Sequence, residues 1–303
     1  MNRSRESVAL VLLGSLVLAS ACSSNEGSGG GGGTGRVQII VVPEESITEG
    51  IEPGTGDENM QDGWAISYDR YLVTVGNFRA RRSDTGDAVG DPAIYVLDLK
   101  NAPSSGYLVK ELADVAAVRW DKFGYDVANA TAAAKPLAPT TQADADFMAS
   151  KGYSVYFEGK GTKGAETITF KWGFRAGTSF DDCATSEGLA GFAVPQGGTV
   201  QIKPTLHGDH QYFDNVTQGV ELTSRRAEWL LTCDQDRNKE LTLEELAKCD
   251  VAVALPTPPY DLTSVRDQDG DGKITAFDYV STQMRTFGDF QGDGECPTRA
   301  PLP

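Results

Sequence analysis

Two twelve-residue stretches place oxygen-bearing side chains at the intervals a hard cation needs. The first is Asp234-Gln-Asp236-Arg-Asn238-Lys-Glu240-Leu-Thr242-Leu-Glu-Glu245, and the second is Asp267-Gln-Asp269-Gly-Asp271-Gly-Lys273-Ile-Thr275-Ala-Phe-Asp278. A calcium loop of this length draws side-chain oxygens from positions 1, 3, 5 and 12 and a backbone carbonyl from position 7. It favours glycine at position 6. The predicted ligands are therefore Asp234, Asp236, Asn238, Glu245 and the Glu240 carbonyl, then Asp267, Asp269, Asp271, Asp278 and the Lys273 carbonyl. The two loops are unequal. The second has Gly272 at the turn but a short Asp278 at position 12, which reaches an ion less well than glutamate. The first has Glu245 there but Lys239 in place of glycine, where a positive φ is strained for a side chain with a Cβ. The alternative for each loop is an acidic turn that binds nothing.

A second constellation holds the only two histidines, in Leu206-His207-Gly-Asp209-His210-Gln-Tyr-Phe-Asp214. Two imidazoles with an intervening carboxylate are donors for Zn2+ or Cu2+. His207, Asp209 and His210 are thus a candidate transition-metal site, with a further ligand to come from Asp214 or from the acidic segment Asp289–Glu295. The competing reading is a hydrogen-bonded turn in which Asp209 caps neighbouring amides. Hydrolytic signatures such as Gly-x-Ser-x-Gly, a phosphate-binding loop or His-Glu-x-x-His are absent from the sequence, and a non-enzymatic protein is expected.

The segments that must position these groups divide into two expected blocks. Residues 37–222 read as a β-rich body: Val37–Val42, Trp64–Ala80 broken at Gly76, Ile94–Leu99, a hairpin of Ser154–Phe157 with Thr167–Trp172 turning at Gly159–Gly164, and an alternating strand Thr199–Leu206 demoted towards an edge by Pro204. A helix at Ala143–Ser150 is capped by Thr140 or Thr141. Residues 223–303 read as helical: Ser224–Leu231 and Leu243–Lys248 flank the first loop, Tyr260–Val265 and Phe277–Phe287 the second, with Leu255-Pro-Thr-Pro-Pro259 as linker. The fold class expected is α+β, a β-sandwich body followed by a small helical pair.

The loops and their flanks resemble an EF-hand pair, and the second loop also resembles a dockerin repeat. The first resemblance implies calcium binding and the second an adhesion module that recognises a partner. The body segments Trp64-Ala-Ile-Ser-Tyr-Asp-Arg-Tyr-Leu-Val-Thr-Val75 and Arg119-Trp120-Asp-Lys-Phe-Gly-Tyr-Asp126 resemble copper-binding β-sandwich lipoproteins related to the methanobactin-associated periplasmic protein. That resemblance implies metal handling without fixing ligands.

The front of the chain speaks for export. Arg3 and Arg5 precede an apolar run from Val8 to Leu18, then Leu18-Ala-Ser-Ala-Cys22. This is a secretory signal whose end resembles a bacterial lipobox, so residues 1–21 would be removed and Cys22 lipidated. Residues 22–36 form a Gly/Ser-rich tether. The expected location is the bacterial cell envelope, on the outer membrane or its periplasmic face, with the membrane as partner through the anchor and a protein partner left open. A net charge of −16 argues against nucleic acid. The four remaining cysteines suggest two disulfides in an oxidising compartment, Cys233–Cys249 around the first loop and Cys183–Cys296 at the tail. Extracellular calcium loops of this type bind in the ~10⁻⁴–10⁻³ M range, which fits structural occupancy rather than sensing.

Overall fold

The computed structural model describes residues 32–215 and 224–303. The signal segment 1–21, the lipidation position Cys22, the tether up to residue 31 and the expected boundary at 222/223 lie outside the described residues. The fold is mostly β, with 42% of the described residues in strands and 16% in helices. The expected balance of α and β is therefore corrected towards β. Residues Gly32–Pro303 form one compact unit.

The first strand, β1 (Thr34–Pro43), begins three residues before the expected start and takes up the end of the tether. It pairs antiparallel with β4 (Tyr107–Ala116). On its other side, β9 (Thr199–Ile202) and β10 (Pro204–Leu206) run parallel to it in one continuous register, Ile39 opposite Ile202 and Val42 opposite Thr205. β12 (Gly288–Phe290) pairs antiparallel with β10, so Pro204 interrupts the strand without leaving β10 at an edge. Of the two halves of this strand only β9 lies at an edge, while Thr205 and Leu206 of β10 are paired on both sides.

The larger sheet is built on β2 (Ala65–Arg81), whose first half pairs with β6 (Val155–Lys163) and whose second half pairs with β3 (Ala88–Asp98) and β5 (Lys122–Val127). The expected break at Gly76 is a bulge: Asn77 takes φ 47° and the strand continues. β6 turns into β7 (Glu166–Phe174) with Lys163 opposite Glu166, so Gly164 and Ala165 alone make the turn. Gly159 and Gly161 are strand residues, contrary to the expected Gly159–Gly164 turn. A Cβ on Gly161 would lie 2.8 Å from Leu230 and 3.0 Å from Trp64, so packing rather than turning selects that glycine. Both sheets bury side chains in one hydrophobic cluster, including Val37, Ile39 and Tyr107 from the smaller and Tyr71, Val73 and Leu97 from the larger.

The helix α1 (Gln142–Lys151) starts at Thr141, whose hydroxyl accepts from the Asp144 amide while the Asp144 carboxylate accepts from the Thr141 amide. The C-terminal third is not a separate helical layer. Its strands β11 (Glu240–Leu241), β12 and β13 (Thr298–Pro301) pair with β7, β10 and β8 (Thr178–Asp181) respectively. Its helices are short: α2 (Trp229–Cys233), α3 (Leu243–Leu246), α4 (Val251–Ala254) and α5 (Ala276–Gln283). Residues 224–228 and 260–265 are not helical, so the expected entering helices shrink to α2 for the first loop and vanish for the second. Both disulfides, Cys183–Cys296 and Cys233–Cys249, join the expected partners.

Candidate metal centres

The first acidic loop is stitched to the larger sheet. Trp229 of α2 stacks on Trp172 of β7, whose indole N–H donates to the Leu241 carbonyl at 2.8 Å. The Thr169 amide donates to the Lys239 carbonyl at 2.9 Å, and the Cys233–Cys249 disulfide ties the start of the loop to the end of its exit helix. Within this frame Asp234, Asp236 and Glu245 each bring an oxygen within 4.8 Å of the others. Asp234 Oδ2 accepts from the Lys239 amide at 3.1 Å, and Lys239 holds φ 70°. Position 6 thus adopts the positive φ usually given to glycine, and the sheet holds it there. Asn238 Oδ1 accepts from the Glu240 amide at 2.7 Å. Glu245 Oε2 accepts from the Thr242 amide and hydroxyl at 3.0 and 2.9 Å. The other oxygens, Asp234 Oδ1 and Glu245 Oε1, are buried with no aligned donor, although the amides of Asp236 and Gln235 approach the Glu245 carboxylate. Burial would raise the Glu245 pKa, but Thr242 and the amides of Asp236 and Gln235 outweigh it and hold the carboxyl below its ordinary value.

The second loop is open to solvent. Asp267, Asp269 and Asp271 bring oxygens within 4.8 Å of one another, and all three are at the surface. Asp267 accepts from the Gly270 amide at 2.6 Å and the Gly272 amide at 2.9 Å; the Gly272 and Gly270 bonds lower its pKa. Gly272 has φ 82° in open space. Asp278 stands apart from this trio. It is fully buried, with Oδ1 accepting from the Gln268 amide at 2.6 Å and Oδ2 from the Thr275 amide and hydroxyl at 2.8 Å. The predicted position-12 ligand is thus occupied as the cap of α5. Lys273 keeps its side chain at the surface, so its carbonyl remains the relevant atom.

The two loops do not pair through their central residues. Leu241 lies opposite Phe170 of the body, whereas Ile274 is 40% exposed. The link between the two loop regions is a bridge from Asp250 to Thr275, with the Ala276 amide donating to the Cys249 carbonyl at 2.9 Å.

Strand register builds the third centre. Pro43 lies opposite Leu206 in the parallel β1–β10 pair, so Glu44 and His207 follow side by side. In the antiparallel β10–β12 pair Asp289 lies opposite Thr205, two residues before His207 and on the same face of the sheet, so the three side chains gather at one end of the smaller sheet. His207 Nδ1 lies 3.0 Å from Glu44 Oε2 and its Nε2 lies 3.1 Å from Asp289 Oδ2. One nitrogen each of His207 and His210 and one oxygen of Asp289 fall within 4.8 Å of one another; Glu44, His207 and Asp209 form a second such group. Asp209 is committed elsewhere on one side: its Oδ2 accepts from Arg225 Nε at 2.6 Å, while Oδ1 lies 4.0 Å from His207 Nδ1. Tyr68 and Tyr71, reaching from β2, donate to the carbonyls of Gly208 and His207. Burial disfavours a charged His207 ring, but Asp289 and Glu44 outweigh it and raise its pKa well above the ordinary value; His210, desolvated and beside His207, is pushed well below it.

Of the expected transition-metal set, His207 and His210 are brought together, and Asp289 from the anticipated acidic segment joins them. Asp209 turns mainly to Arg225, and Asp214 pairs with Arg226 at 3.4 Å instead of joining the cluster. Sequence reasoning missed Glu44, Arg225, Tyr68 and Tyr71. Glu44 carried one signal, its place directly after the proline that ends β1, but nothing in the sequence announced that β1 and β10 would run side by side. No protein-family model matches the chain, and neither a curated protein nor a solved structure matches it.

Proposed function

We propose that the chain is an exported, lipid-anchored, non-enzymatic calcium-binding protein, in which a β-sandwich-like body carries two modified EF-hand-type loops and calcium serves structure rather than sensing. The observation that carries this reading is the pair of orphan oxygens in the first loop. Asp234 Oδ1 and Glu245 Oε1 are buried, lack aligned donors and converge with Asp236, at positions 1, 3 and 12 of the motif. Leaving buried carboxylate oxygens unpaired costs several kcal/mol, on the order of 1–3 per group, and a divalent cation removes that cost. Asn238 and the Glu240 carbonyl complete the first oxygen set, and Asp267, Asp269, Asp271 and the Lys273 carbonyl the second. The disulfides fit an oxidising compartment, and Cys22 is the proposed site of the lipid.

The test is melting of chelator-treated protein titrated with calcium, comparing wild type with the double variant Asp234→Ala, Asp267→Ala. The wild type should gain thermal stability with added calcium and the double variant should gain none. An equal gain in both would remove the loops as the sites. Anchoring is tested separately: Cys22→Ala should move the protein from the membrane fraction to the soluble fraction.

A further inference from the structure

The environment of the two histidines carries more than a hydrogen-bonded turn requires. Each imidazole has its Nδ1 engaged by a side chain outside the turn. Glu44 Oε2 lies 3.0 Å from Nδ1 of His207, and Thr286 Oγ1 lies 2.8 Å from Nδ1 of His210. The Thr286 hydroxyl donates its own hydrogen to the Gln283 carbonyl at 2.8 Å, so it accepts from His210 Nδ1–H. His210 Nε2 is then the nitrogen with the free lone pair. Orienting partners of this kind on the far nitrogen fix the tautomer and raise the basicity of the ligand nitrogen.

On the near side, His207 Nε2 and Asp289 Oδ2 are 3.1 Å apart, yet Nε2 makes no aligned hydrogen bond; Asp289 Oδ1 is buried with no hydrogen-bond donor, its ion-pair partner being Arg299 Nη2 at 3.7 Å. Nitrogen and oxygen at this separation, with His210 and Asp289 each offering a ligand atom within 4.8 Å of His207, have the spacing of donors that share one ion. His207 and Asp289 are both more than nine-tenths buried, and His210 is 9% exposed. Arg225 engages Oδ2 of the neighbouring Asp209, while Tyr68, Tyr71 and Gln211 hold the carbonyls of the turn. The cluster is therefore built and fixed by three different strands and a turn.

We infer that His207, His210 and Asp289 form a buried zinc(II) site, with Asp289 supplying a carboxylate oxygen and Glu44 and Thr286 orienting the two imidazoles. The donor set narrows the metal to a borderline divalent ion. Nitrogen ligands disfavour calcium, and the absence of thiolate or thioether disfavours copper(I), whereas two imidazoles and a carboxylate suit zinc in four-coordinate geometry. The bound ion joins the end of β10 to β12 and, through Glu44, to the end of β1. This inference is independent of the calcium reading, since the ligands and the metal are different.

Chelator-treated full chain reloaded with zinc in millimolar calcium, dialysed and analysed for metal is the test. One zinc per chain should remain on wild type and on the Asp234→Asn, Asp267→Asn variant, and none on His210→Gln or Asp289→Asn. Cobalt(II) in its place should give the intense visible bands of tetrahedral nitrogen–oxygen coordination, lost in the same two variants. Should a variant misfold, wild type alone decides: with calcium held at millimolar throughout, its melting temperature should fall on zinc removal and return when zinc is added, while further calcium restores nothing. Wild type that holds no zinc, or a His210→Gln chain that holds as much as wild type, overturns the assignment.

Discussion

The two acidic loops share a spacing but not an environment. The second has the more regular sequence, with Gly272 at the turn, yet it lies in solvent, both oxygens of its position-12 carboxylate accept hydrogen bonds, and Ile274 is left exposed. Glu245 of the first loop caps α3 in the same way, but through Oε2 alone. The first violates the motif at Lys239, yet the sheet edge, the Trp172–Trp229 stack and a disulfide hold it, and two orphan oxygens point into it. Motif regularity and site quality therefore run in opposite directions. Convergence of buried oxygens without aligned donors is set by what packs behind a loop, and a spacing pattern does not encode that.

The contrast yields tests in descending order of effect. Replacing Cys233 and Cys249 by serine opens a clamp with a sequence separation of 16. The loss should be about 3 kcal/mol by loop-closure entropy, read from denaturant unfolding, and calcium affinity should fall at the first loop alone. Unchanged calcium binding would show that the sheet contacts, not the clamp, distinguish the loops. Asp234→Asn should abolish most of the stabilisation by calcium. For a dissociation constant near ~10⁻⁴ M and hundredfold excess calcium, that stabilisation is about 2.7 kcal/mol, or roughly 5–10 °C in melting temperature at about 2–4 °C per kcal/mol. Asp267→Asn should cost less than half of this; an equal or larger loss would invert the ranking.

A smaller effect concerns acid. The carboxyls of Glu245 and Asp267 both have folded-state pKa values below their ordinary ones, the first through Thr242 and loop amides despite burial, the second through the Gly272 and Gly270 amides. A depressed carboxylate contributes stability that is present above its unfolded value, about 4, and is lost as pH falls through the folded value. Calcium binding should accordingly persist through mildly acidic pH and disappear only below the ordinary carboxylate range. Loss of binding already at pH 5–6, measured by calcium-dependent melting, would contradict this.

Much of the scaffold was legible in the chain. An apolar run placed β1, β-branched and aromatic residues placed β2, alternation placed the Thr199–Leu206 strand, Thr140 or Thr141 marked the start of α1, and the cysteine positions foretold both disulfides. What failed was non-local. The amphipathic runs before each loop read as helices, but Asp214 and Gln61 draw residues 224–225 into backbone pairing and Asp261 pairs back to Asp214. Gly159 and Gly161 read as a turn because glycine's use for close approach is invisible until Trp64 and Leu230 are in place. The histidine centre was half visible: His207 and His210 stand out by rarity, whereas Glu44 and Asp289 reach them only through the register of three strands distant in sequence.

The most direct measurement is calorimetric titration of the chelator-treated mature chain with calcium, beside Asp234→Asn and Asp267→Asn. Two binding events of unequal affinity are predicted, the tighter one absent from Asp234→Asn and the weaker one absent from Asp267→Asn. Absence of binding heat in wild type, or a tighter event that survives Asp234→Asn, would contradict the account.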